Sequence, residues 1–139
     1  MKELSLHILD VAENGISAGA DQIEITVDEA PSENRLTLGI ADNGGGIPPD
    51  AMARVTDPFY TTRTTRRVGL GLSLLQNAAE QCDGRITIDS EPGRGTRITA
   101  TFAYDHIDRA PLGDLAGTLM TLIFGNPEVK INFYQRIDG

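Results

Sequence analysis

The sequence predicts an α/β domain, and three observations carry that expectation. Residues 2–18 place apolar side chains at helical spacing, residues 22–41 and 85–103 alternate apolar and polar residues in two hairpin-like pairs, and a second helical period begins at Gly69. The 139 residues suit one domain with a real core, and 40% apolar with 23% charged residues reads as soluble and globular. Fifteen glycines stand where average usage gives about ten, a surplus that asks for a local cause.

At about 100° per residue, Leu4, Ile8, Leu9, Val11, Ala12, Gly15 and Ile16 fall in one broad arc, with Leu6 as the exception. Glu3, His7, Asp10, Glu13, Asn14 and Ser17 form the other side, with Asp10 and Asn14 one turn apart. Gly19 reads as the stop. Ile23, Ile25 and Val27, then Leu36, Leu38 and Ile40, alternate as half-buried strands about a turn at residues 31–34. Asp42 then falls just beyond a strand end. The stretch Asp42-Asn43-Gly44-Gly45-Gly46-Ile47-Pro48-Pro49 cannot continue a helix or strand and reads as a shaped loop.

A short helical turn is expected from Asp50, followed by a polar, Thr-rich lid over residues 57–67. From Gly69 a helix is expected with Leu70, Leu74, Leu75, Ala78 and Cys82 buried and Gly84 as its stop. Strands are expected at 85–90 and 96–103 around the turn Glu91-Pro92-Gly93-Arg94-Gly95. Residues 105–113 read as a connector, 115–124 as a short apolar helix and 129–137 as a final strand.

Twelve basic against twenty acidic residues give a net charge of -8, which argues against a nucleic-acid partner. No apolar run approaches the roughly 20 residues of a membrane span, and the N-terminus lacks a signal-peptide core. The lone Cys82 cannot form an internal disulfide, so a reducing cytoplasm is expected, with no membrane partner. Cys82 reads as core, and His7 and His106 as ordinary surface.

The glycine clusters point toward phosphate binding, yet no GxxxxGK[ST] occurs, and Gly69-Leu70-Gly71 lacks the third glycine and preceding strand of a dinucleotide fingerprint. What remains is an ordered set: Asp10-Val11-Ala12-Glu13-Asn14, Asp42-Asn43-Gly44-Gly45-Gly46, Phe59, Gly69-Leu70-Gly71-Leu72 and Gly93-Arg94-Gly95-Thr96. This order resembles the N, G1, F, G2 and final glycine boxes of the GHKL ATP-binding superfamily, which includes DNA gyrase, large heat-shock chaperones, histidine kinases and mismatch-repair ATPases. The run Val68-Gly69-Leu70-Gly71-Leu72-Ser73 looks most like histidine kinases.

The resemblance covers residues 1–104 and leaves 105–139 as a C-terminal extension of connector, short helix and strand. It implies a two-layer sandwich: a mixed, mainly antiparallel sheet covered on one face by helices. It also implies ATP and Mg²⁺ as cofactors. Asp42 would accept a hydrogen bond from the adenine amino group, with Gly44, Gly46, Ile47 and Phe59 shaping the pocket and Thr96 supporting the base contact. Gly69, Leu70, Gly71 and Leu72 would open a helix whose N-terminus holds phosphates. Asn14 would be the Mg²⁺ ligand.

Asp10 stands where related ATPases and serine kinases carry a glutamate general base and many histidine kinases an amide, so it is the candidate catalytic residue. Arg63 and Arg66, with Arg67, would meet γ-phosphate charge from a closing lid; residues 56–68 carry +2 while the rest sum to -10. No acceptor-histidine hairpin precedes residue 1, so the phosphoacceptor is expected to be a separate protein. Three activities remain open: a kinase acting in trans, an anti-sigma-like serine kinase or switch, and a nucleotide-gated binding module without catalysis. The end at Gly139, close behind a strand pattern, fits a chain cut short.

Overall fold

The computed structural model describes residues 3–45, 66–106 and 109–138, and for residues 66–71 and 73 the backbone alone. The elements run α1 (Leu4–Ser17), β1 (Gln22–Ala30), a 3-10 turn (Pro31–Glu33), β2 (Arg35–Asp42), α2 (Arg66–Gln81), β3 (Ile86–Glu91), β4 (Gly95–Ala103), α3 (Leu115–Gly125) and β5 (Lys130–Ile137). The expected turn after Asp50 and most of the Thr-rich segment lie outside the described residues.

The five strands form one sheet in the order β3-β4-β2-β1-β5. Three neighbouring pairs are antiparallel, and β5 runs parallel to β1 with Ile131 opposite Ile23 and Phe133 opposite Ile25. This is the expected mixed, mainly antiparallel sheet. Alternation decides its faces: Ile23, Ile25, Val27, Leu36, Leu38, Ile40, Ile98, Ala100 and Phe102 are buried on one side. All three helices cover that side. α2 lies over β3 and β4, α1 over β1 and β2, and α3 beside β5, so α1 is the middle helix and touches both others.

That central place corrects one expectation. A single apolar arc predicts a helix half exposed, yet Ser5, His7 and Asn14 are buried along with the apolar residues. Thr118 Oγ1 donates to the Ser5 carbonyl (3.4 Å), so the Ser5 flank of α1 faces α3. The His7 and Asn14 flank, on the opposite side, faces α2. His7 is therefore interior at 5% exposure, not surface. Helix packing on both flanks hides what periodicity assigns to solvent.

The helix ends follow from where their free amides and carbonyls go. α1 has no side-chain cap; its Leu4 and Ser5 N–H groups donate to the Pro111 and Leu112 carbonyls (2.9 and 2.8 Å), so the C-terminal connector closes its first turn. At the other end Gly19 N–H reaches the Ile16 carbonyl and Ala20 N–H the Gly15 carbonyl, a Schellman closure at the expected stop. α3 is capped by Asp114, which accepts from Gly117 N–H at 2.9 Å.

α2 differs from expectation at three points. It begins at Arg66, three residues before Gly69. Its buried stripe is Leu72, Leu75, Ala79 and Cys82; Leu74, roughly 100° away from Leu75, is 40% exposed. At its C-terminus the left-handed residue is Asp83 (φ 58°), not Gly84. Gly84 follows it because a Cβ there would overlap the Thr101 carbonyl of β4. The close approach, not the turn, requires glycine.

The extension is tied to the core by polar contacts. Glu29, 9% exposed, accepts from Tyr104 Oη (3.2 Å) and from Gln135 Nε2 of β5 (3.3 Å). Arg109 stacks over the Tyr104 ring at 5.0 Å and donates from Nε to the Tyr104 carbonyl at 2.6 Å. Tyr104→Phe is expected to lower stability by about 1–2 kcal/mol, because the Glu29 carboxylate loses a donor in a buried setting. Urea denaturation measures this, and a loss below about 0.5 kcal/mol would show that the bond contributes little.

Candidate functional site

Asp42 is the last residue of β2 rather than a loop residue beyond it, so the strand itself aims the side chain. It stands on the helix-facing side two residues after Ile40 and pairs across the sheet with Thr96 of β4. Its Oδ1 accepts from Gly44 N–H at 2.8 Å, and the carboxylate also accepts from the Thr96 backbone N–H. Burial pushes the Asp42 carboxyl above its ordinary 3.8, and the two backbone donors pull it only part of the way back.

Glycines let the neighbouring backbone reach this carboxylate. A Cβ on Gly15 of α1 would lie 2.7 Å from Asp42 Oδ2 and 3.0 Å from its Cβ, closer than side-chain carbons approach. Gly95, at φ +126°, lies so near that a Cβ would overlap the Asp42 carbonyl oxygen. The loop after Asp42 is then pinned on both sides. Gly45 N–H donates to the Ala18 carbonyl at the end of α1 (2.9 Å), and Gly93 N–H of the β3–β4 turn donates to the Gly45 carbonyl (2.8 Å). Asn43 accepts from the Asp21 and Gln22 N–H groups, both at 3.0 Å, and donates to Asp21 Oδ1 at 2.6 Å.

Asn14 precedes Gly15, on the α1 flank that faces α2. It is 8% exposed, and neither its amide oxygen nor its amide nitrogen has a hydrogen-bond partner among the described residues. Leaving such a group unsatisfied costs about 1–3 kcal/mol, so the position is held against stability. An unclaimed amide oxygen suits a hard cation such as Mg²⁺, which keeps most of its positions for water and phosphate. Among the described residues no cluster of three or more His, Cys, Asp or Glu could cage a metal by itself. Asp10, one turn earlier on the same helix, is half-buried.

α2 runs toward this site with its N-terminus. Cys82, the residue after its last turn, is fastened to the end of β4 remote from Thr96, where Ala103 N–H donates to the Cys82 carbonyl (2.7 Å). Sixteen helical residues rise roughly 24 Å from there, back toward the Asp42 end. A cleft of about 710 Å³ opens beside Asp42, lined also by Ser90, Thr96, Arg94 and Arg97.

The expected residues are thus distributed unevenly. Asp42, Gly44 and Thr96 are drawn together, with Thr96 9% exposed and Gly44 buried. Arg66 is the first residue of α2, part of the helix and not of a lid, and Gly69, Leu70 and Gly71 are its fourth to sixth. The glycine pair therefore lies inside the first two turns, not at the helix entrance. Leu72 is 1% exposed and packs in the core. Gly46, Ile47, Phe59 and Arg63 lie outside the described residues.

Gly15 was legible only as a core position, although a mid-helix glycine, unfavourable by about 1 kcal/mol against alanine, already signals a close approach. Ser90, whose hydroxyl lies 2.9 Å from Thr96 Oγ1, left no such signal.

Two outcomes follow from this geometry. Gly15→Ala is expected to lower stability instead of raising it by the ~1 kcal/mol of helix propensity, because the new methyl displaces Asp42; a gain in urea denaturation would contradict the contact. Asp42→Asn is expected to stabilise the chain at neutral pH. The raised carboxyl favours the protonated folded form, so ionisation above that raised value costs stability, and below the ordinary carboxylate range the cost is absent. Thermal unfolding should show an advantage for Asp42→Asn near pH 7.5 that disappears by about pH 3.

A sequence model of the family described as histidine kinase-, DNA gyrase B-, and HSP90-like ATPase matches residues 2–106. The sensor protein kinase WalK of Staphylococcus aureus is 36% identical over 97 residues, covering 66% of this chain and 23% of that protein. WalK of strain JH9 matches equally over 16% of its length. The chain therefore spans about a quarter or less of these relatives. The nucleotide-free catalytic domain of histidine kinase ThkA superposes with a TM-score of 0.57 at 21% identity, over 75% of this chain and 68% of that one, a likeness of fold. By sequence and by architecture, the chain belongs to the histidine kinase-, DNA gyrase B- and HSP90-like ATPase family.

Proposed function

We propose that the chain binds Mg·ATP at the Asp42 end of the sheet and transfers the γ-phosphoryl group to a separate protein. The observation that carries the reading is the buried Asn14 amide without a partner among the described residues, next to the Gly15–Asp42 contact. Asp42 accepts from the exocyclic amine of adenine, its acceptor direction held by Gly44 and Thr96. Gly46, Ile47 and Phe59 complete the base pocket, and the first turn of α2, ending at Gly69, presents its free N–H groups to the phosphates, with Leu70 and Gly71 in the turn behind it. Arg63 and Arg66 add positive charge there, and Leu72 supports the helix from the core.

Asn14 Oδ1 would hold Mg²⁺, which when bound would supply charge neutralisation at the phosphates. Asp10 takes the proton from an attacking hydroxyl or water as the new bond to phosphorus forms and the bond to the ADP oxygen breaks. A carboxylate at this position favours a hydroxyl acceptor, which keeps an anti-sigma-like serine kinase as the second reading. A module that only switches on nucleotide would dispense with Asp10. No helix among the described residues is long and apolar enough to cross a membrane, and the buried Cys82 suits the reducing cytoplasm we assign.

Calorimetry with Mg·ATP should show binding by the unmodified chain and a loss of more than about a hundredfold in Asp42→Asn, well beyond any change in stability; retained affinity would remove Asp42 from the base pocket. Asp10→Asn should keep ATP binding while slowing phosphate release at least tenfold. Unchanged release would reject Asp10 as the base. With γ-labelled ATP and a lysate of the source cells, an acid-labile product identifies a histidine acceptor and an acid-stable one a serine or threonine.

A further inference from the structure

We propose that two copies of the chain join edge to edge through β5 into one continuous sheet, with α3 of each copy packed against α3 of the other above the join. β5 is the last strand at its end of the sheet. The Lys130 and Asp138 N–H groups donate to the Asp21 and Glu29 carbonyls on the β1 side, both at 2.8 Å, so the even-numbered residues of β5 turn their backbone groups toward β1. Ile131, Phe133, Gln135 and Ile137 alternate with them and turn theirs to the open edge. Such a row is a template for another strand, and from Ile131 to Gln135 it carries neither the proline nor the charge that usually blunts an edge.

The helix beside that edge adds an apolar flank. Thr118 faces α1 through its bond to the Ser5 carbonyl. At about 100° per residue, Ala116, Met120 and Ile123 fall on the opposite flank of α3, turned away from α1 and out past β5. Met120, Ile123 and the neighbouring Phe124 are exposed. Because the helices cover one side of the sheet, a two-fold axis perpendicular to it keeps both helix layers on that side and brings the two flanks together.

The occupant we assign is a second copy, because β5 complements its own antiparallel image. Only residues that turn their backbone groups outward can exchange N–H···O bonds across the edge, so odd-numbered residues pair with odd-numbered ones. With Tyr134 on the axis, Lys130 stands opposite Asp138 of the second copy, Ile131 opposite Ile137 and Phe133 opposite Gln135. With Phe133 on the axis, Lys130 meets Arg136, a like-charge pair, and with Gln135 there Asp138 meets Asn132. Charge selects the Tyr134 register. Within one copy Arg136 Nη2 already lies 3.8 Å from Asp138, so that carboxylate gains a second cation across the join. Asp42 pairs with Ile23, and Ile23 with Ile131 near the start of β5, so the antiparallel join sends the two Asp42 ends to opposite ends of the strands. Each site stays within one copy, and the proposal stands apart from the nucleotide reading.

Sedimentation of the chain from about 1 to 200 µM tests this and should show the mass rising from 14.9 kDa toward twice that value. Ile123→Glu should raise the dimer dissociation constant at least about tenfold. Lys130→Glu should raise it about three- to tenfold by facing Asp138 with a like charge, and adding Asp138→Lys should recover most of the loss. Under mild oxidation Tyr134→Cys, its two Cα atoms about 4.5 Å apart across the axis, should give a covalent dimer. Asn132→Cys, whose two copies stand about 13 Å out of step along the strands, should not. A single 14.9 kDa species throughout, a dimer indifferent to Ile123→Glu, a charge reversal that recovers nothing, or bridging by Asn132→Cys as readily as by Tyr134→Cys each overturns the proposal. So does a chain that stays single until a different protein is added. Should Ile123→Glu fail to fold by circular dichroism, Met120→Glu on the same flank carries the same outcomes.

Discussion

The middle helix crosses the sheet at a spacing set where Gly15 meets the Asp42 carboxylate, 2.7 Å from the place a Cβ would occupy. That contact fixes how deeply α1 settles between its neighbours. Because α1 is central, it is enclosed on three sides: by β1 and β2 beneath, α2 on one flank and α3 on the other. The polar residues on its flanks, Ser5, His7 and Asn14, are consequently interior. The same approach helps remove water from Asp42, and burial pushes its carboxyl above the ordinary 3.8 despite two backbone donors.

The C-terminal segment is woven into this arrangement. Residues 111 and 112 supply the carbonyls that close the first turn of α1, Thr118 bonds the Ser5 carbonyl, and β5 adds a parallel strand beside β1. A parallel addition needs a crossover, and α3 provides it, as in other β-helix-β units. The family match ends at residue 106, so these contacts are made by chain beyond the matched region. α3 buries Thr118 and Leu122 and leaves Met120, Ile123 and Phe124 exposed.

Charge is organised locally in a chain whose net value is -8. Asp42 is partly withdrawn from water, and the donors that hold its acceptor geometry among the described residues are the backbone N–H groups of Gly44 and Thr96. Next to it an amide that can bind a cation or a donor stands with no described partner. Both features are unfavourable to folding alone.

Hydrophobic periodicity by itself determined the elements, because apolar spacing of about 3.6 or 2 residues leaves one regular structure that can bury it: α1, both hairpins, α3 and β5 were legible within a residue or two. The ordered glycine and acid motifs marked the family, and Asp42, Gly44 and Thr96 do converge. Tertiary structure decided the rest. The burial of His7 and the exposure of Leu74 depend on which neighbours each helix meets, and no local pattern encodes that. Gly84 and Gly15 are glycines because of backbone or side chains far away in sequence, at Thr101 and Asp42. The pairing of Thr96 with Asp42 arises from strand register, which places a residue of the β3–β4 hairpin in one row with the end of a strand much earlier in the chain.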